Sequence, residues 1–134
     1  MRIVAVCACL LWAVPALSAA PPVPSDRELV NRLVEALKDP DADVRANLAQ
    51  ALAKIGPPAV ESLMAALADP LPERRAGAAL ALGLLGPTGR PALPKLLDLL
   101  DDKDTEVRRQ ASQSIVRVIP SAKPPAKPTG GQTP

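Results

Sequence analysis

Three aspartates each stand six residues ahead of an arginine: Asp39 and Arg45, Asp69 and Arg75, Asp102 and Arg108. A carboxylate beside a guanidinium can serve acid–base chemistry or hold an anion. The recurrence argues against both uses. A catalytic pair has no reason to appear in every unit of a repeat, whereas a structural pair repeats with the unit that carries it. The rest of the chain offers little chemistry. Among the 134 residues His, Tyr and Phe are each 0, and Cys7, Cys9 and the single Trp12 share one apolar N-terminal run. Removal of that run leaves no thiol nucleophile, no Ser-His-Asp triad, no His/Cys metal site and no disulfide. It also leaves no aromatic platform on which a base could stack. The expectation is a protein without enzymatic activity, cofactor or metal.

Charge excludes one partner class. Lys and Arg number 16 against 14 Asp and Glu, and from Asp26 to Ile119 there are 13 basic and 14 acidic residues. A duplex-binding surface needs a surplus of cations to neutralise phosphates, so no nucleic-acid partner is expected.

The two ends differ from the middle. Residues 1–20 combine Arg2, an apolar run from Ile3 to Leu17 and small residues at Ser18, Ala19 and Ala20. This is the anatomy of a cleaved signal peptide, and the run is too short for an ordinary spanning helix. Cleavage is expected after Ser18 or Ala19, which makes the protein exported (periplasmic or secreted), with no membrane attachment afterwards. Residues 21–25 form a Pro-rich spacer. Residues 120–134, PSAKPPAKPTGGQTP, contain no aliphatic side chain larger than Ala. Such a stretch cannot offset its ordering entropy and is expected to be a disordered tail.

Between them the chain repeats itself. Residues 36–56 and 66–86 are identical at 10 of 21 positions, and a third copy follows at a further offset of 33. Periods in this range belong to stacked supersecondary units. Each unit reads as two helices, at 26–38 and 42–55, 58–68 and 72–85, 91–101 and 104–118. Leu29, Leu33, Val34 and Leu37 follow the three-and-four spacing of an amphipathic helix, and so do Val44, Leu48, Ala51, Leu52 and Ile55. Pro40 and Pro70 fall in the turns within units, and Gly56-Pro57 and Gly86-Pro87 fall between units, where Gly ends a helix and Pro begins the next. No segment alternates as a strand would. The fold class is all-α, with units at about 26–56, 57–86 and 87–119.

The motifs DPDADVR (39–45), DPLPERR (69–75) and DKDTEVR (102–108), each followed by a helix, resemble the HEAT repeat family. The short periods are closest to its short HEAT-like, bilin-lyase type. Arg74 departs from the pattern, which has Val at that position. The resemblance implies an α-solenoid of three stacked helix–turn–helix units. It implies further that Asp39, Asp69 and Asp102 form a ladder with Arg45, Arg75 and Arg108 of neighbouring units. It also places the second helices on a concave face. The positions on them that point away from the core residues are Asn47, Gln50 and Lys54, then Gly77, Leu80 and Leu84, then Gln110, Gln113 and Arg117. This surface is expected to be polar at both ends with an apolar centre at Leu80 and Leu84, the pattern of a protein-contact surface.

Small residues carry the last sequence signal. Ala46, Ala49 and Ala53 correspond to Ala76, Ala79 and Gly83, but to Arg109, Ser112 and Val116 in the third unit. The third unit therefore reads as a C-terminal cap, and the polar residues of the first helix, from Asp26 to Glu35, as its N-terminal counterpart. The leading expectation is an exported module that engages a protein partner, as a monomer or weak homo-oligomer. The alternatives are a structural fragment that stacks on another solenoid through an apolar end, and a lyase-related protein.

Overall fold

The computed structural model describes residues 24–119, and the leader, most of the spacer and the tail lie outside the described residues. Six α-helices follow one another: α1 (Asp26–Ala36), α2 (Ala42–Ile55), α3 (Val60–Ala66), α4 (Pro72–Leu85), α5 (Leu93–Asp98) and α6 (Thr105–Val118). No strand occurs among the described residues. Ser25 caps α1 by accepting from the Glu28 N–H, and Asp41 and Asp104 do the same for two N–H groups each at the starts of α2 and α6. Unit two has Leu71 at this position, and α4 opens instead on Pro72, whose missing N–H would have had no helical partner. Gly56 and Gly86, at φ +84° and +60°, close α2 and α4 in a backbone region that disfavours every side chain. The third first-helix is broken into 3-10 turns on either side of α5, at Gly86–Ala92 and Leu99–Asp101. Pro91 and Pro94 lack the N–H groups that a continuous α-helix there would need.

The helices form three stacked pairs. α4 is the shared centre, packed against α2 on one side and α6 on the other. Its Ala76, Gly77, Ala78, Ala79, Ala81, Leu82 and Gly83 are all buried. A Cβ on Gly83 would lie 2.6 Å from Ser114 Oγ, and one on Gly77 would lie 2.9 Å from Leu37 Cδ2. Ser114 of α6, itself buried, donates to the Ala79 carbonyl at 2.6 Å. The small residues of α4 thus let α6 approach closely enough for a side chain to bond its backbone. The core is aliphatic throughout, built on Val30, Leu37, Leu52, Leu63, Leu82, Leu96, Val107 and Val118.

Two expectations about the ends fail. Leu29 and Val44, read as core positions, are exposed. The third unit does not present a polar outer face, because Leu97, Leu100, Val116 and Ile119 are exposed there.

Candidate functional site

The three arginines of the motif share one geometry. Arg45 Nη1 donates to the carbonyls of Asp39 and Pro40, both at 2.8 Å. Arg75 repeats this with Asp69 and Pro70, and Arg108 with Asp102 and Lys103. Each guanidinium therefore clamps the turn of its own unit. The matching aspartates each accept from the N–H two residues on, which fixes the same turn from inside. Between units, one rung of the expected ladder forms. Arg75 Nε and Nη2 grip both oxygens of Asp102 at 2.8 and 2.9 Å. The rung from Arg45 to Asp69 does not form. Arg74, the residue that departs from the repeat pattern, takes Asp69 at 2.6 Å and reaches Glu35 of the first unit at 2.9 Å. The ion pair between units one and two is therefore Arg74 with Glu35, in place of Arg45 with Asp69.

Both engaged carboxylates are held more acidic than usual. The hydrogen bond from Arg75 leads at Asp102, helped by the Asp104 N–H and by the charges of Arg75 and Arg108, against a smaller effect of burial. At Asp69 burial pushes the carboxyl up, and the Leu71 N–H with Arg74 and Arg75 more than reverses it. Apart from the Nε of Arg74, these groups find partners within the fold. They clamp the turn of each unit and join neighbouring units.

The candidate interaction positions lie along α2, α4 and α6. Asn47, Gln50, Lys54, Gln113 and Arg117 are exposed, and Leu84 is exposed between Lys54 and Arg117 at equivalent positions of the flanking helices. Leu80 is half-buried and packs on the core, because the neighbouring helices close over its base. Gly77 is buried under Leu37, so it supplies space and no exposed contact. Gln110 is half-buried. Its amide nitrogen donates to Glu106 at 2.8 Å, and its buried Oε1 has no partner among the described residues. Around these residues, Arg45, Ala46, Ala76, Glu106 and Arg109 enclose a shallow hollow of about 130 Å³. Sequence reasoning missed Glu106 and its ion pair with Arg109, since a charged pair three apart on a helix gives no signal of what it borders.

A larger cleft, of about 470 Å³, opens on the other side of the stack between α1 and α3. Arg74 closes one end of it, with both terminal nitrogens engaged by Glu35 and Asp69 and its buried Nε left without an acceptor. It is a trough beside the short α3, with no exposed large apolar side chain among its lining residues. Among the described residues no group of His, Cys, Asp and Glu could hold a metal ion, and no helix is long and apolar enough to cross a membrane.

Residues 27–116 match the family model of HEAT repeats. The chain belongs to the HEAT repeat family. The matched segment runs from the first turn of α1 to the last turn of α6, so the family covers the whole stack. No curated protein matches the chain. HEAT repeats in general serve protein–protein interaction and scaffolding.

Proposed function

We propose that this HEAT repeat protein is an exported, non-catalytic module that holds an extended protein segment against its concave face. The observation that carries the reading is the row Lys54, Leu84, Arg117. These are equivalent positions of three adjacent helices, all exposed, with one apolar side chain between two cations. A partner segment that fits places an apolar side chain on Leu84 and the wall of Leu80, with carboxylates toward Lys54 and Arg117. The half-buried Leu80 is already desolvated on one side, which suits the centre of a contact. Export rests on residues 1–20, and the exported protein should begin at Ala19 or Ala20 by intact mass. Retention of Trp12 would contradict that.

The binding claim is tested by panning a phage library of random peptides against residues 20–134. Selected peptides should share an apolar residue flanked by acidic ones. They should lose binding to a Leu84→Glu, Arg117→Glu variant and keep it with Glu61→Arg on the opposite side. Selection of peptides that depend on Glu61 instead would reject the concave face.

A further inference from the structure

The repeat register allows each exposed apolar residue at the ends of the stack to be compared with its own equivalents inside it. Val44 is 40% exposed, whereas Val107, its equivalent in unit three, is fully buried against unit two. Leu100 is 38% exposed, whereas Leu37 and Leu67 are buried, Leu37 against Gly77 of the unit that follows it. Val116 is 76% exposed at the position where Gly83 meets Ser114 of the next unit. The residues left bare at the front of unit one and the back of unit three therefore stand at positions that are buried or partly buried inside the stack. The ladder is also open at these two places, as it is between Arg45 and Asp69 inside the stack. Arg75 spends Nε and Nη2 on the aspartate of the following unit, but among the described residues no unit follows Arg108. Its Nη2 turns to Thr105 of its own helix. Asp39, at the front, carries no ion pair with an arginine of a preceding unit.

We propose that two copies of this chain stack head to tail, the back of unit three of one copy seating the front of unit one of the next. Arg108 of the first copy grips Asp39 of the second as Arg75 grips Asp102. Val116 then faces Ala51 of the second copy, since Ala51 stands where Ser114 does in the repeat register. Ala51 is smaller than Ser114, which offsets part of the bulk that Val116 adds over Gly83. The surfaces are different patches on the two copies, so the contact is heterologous and repeats without closing on itself.

The test is sedimentation of residues 20–134, which retain every contact described above. The mass should rise with concentration past that of a dimer. Val44→Lys and Val116→Lys change exposed side chains and should leave the melting temperature unchanged. Each variant alone should stay monomeric, with association weakened roughly a hundredfold or more. Mixed, they should form a 1:1 complex, because the one intact front meets the one intact back. Charge reversal at Arg108→Asp should weaken association roughly tenfold and be rescued by Asp39→Arg. A monomer at all concentrations up to about 1 mM would overturn the proposal. So would a Val44→Lys variant that dimerises by itself, which marks back-to-back pairing. Association that appears only when residues 120–134 are removed would assign the back face to the tail and overturn it equally.

Discussion

Arg75 is the residue on which the most structure converges. It clamps two carbonyls of its own turn and grips Asp102 of the next unit, with the pair mostly withdrawn from solvent. Exposed pairs are worth about 0–1 kcal/mol. A bidentate, half-desolvated one that also satisfies backbone carbonyls is worth more. Arg75→Ala should lower unfolding stability by about 2–3 kcal/mol in urea titrations. Arg45→Ala removes only the turn clamp and should cost about 1 kcal/mol. Equal losses would mean that the rung adds nothing. Acid supplies a second check. Asp69 and Asp102 have folded pKa values below the ordinary 3.8, so their contribution is complete above that pH and is lost as pH falls through the folded values. The urea midpoint should drop more steeply below about pH 3.8 in the parent than in Asp102→Asn, which has no such carboxylate to protonate. The pairing of Asp69 was not legible from the motif. Arg74 and Arg75 are adjacent, either could reach it, and only the direction each side chain takes from α4 decides.

At the scale of elements, close approach explains what propensity does not. α4 carries glycines at 77 and 83, each of which weakens an isolated helix. Gly83 is tolerated because it lets Ser114 reach the Ala79 carbonyl. Gly83→Ala should therefore destabilise by about 1–3 kcal/mol in spite of its better helix propensity. A stabilised variant in thermal unfolding would show that α6 can move away freely. The boundaries of α2, α4 and α6, the turns at Pro40 and Pro70 and the glycine stops were readable because each depends on local chemistry, whereas the shortening of the helices expected at 58–68 and 91–101 to α3 and α5 was not. The burial of Gly77 and the half-burial of Leu80 were not, because they depend on Leu37 and on how far neighbouring helices close over α4. This changes what a substitution at Leu80 reports. Leu80→Gln mixes a packing loss with any binding loss, whereas Leu84→Gln removes only an exposed contact and should leave the melting temperature within about 1 °C.

The described residues form a three-unit stack whose middle is dense and whose ends expose apolar side chains. The repeat period made the fold class and the family readable before any coordinate. It could not reveal the bare ends, because Leu97, Leu100 and Val44 are core-type residues by pattern and only the count of units decides whether something covers them. The larger substitutions at Arg109, Ser112 and Val116 do mark the end of the stack within the described residues, as their exposure bears out, but not a polar cap. Period alone also did not separate the bilin-lyase type from other short HEAT repeats. The proposed function depends on which side of the stack meets a protein. A photo-crosslinking amino acid placed at Leu84, and separately at Glu61, in the protein expressed in its own host tests this most directly. A discrete adduct is expected from position 84, lost with Lys54→Glu and Arg117→Glu, and none from position 61. A discrete adduct from position 61 with none from 84 would contradict the proposed function.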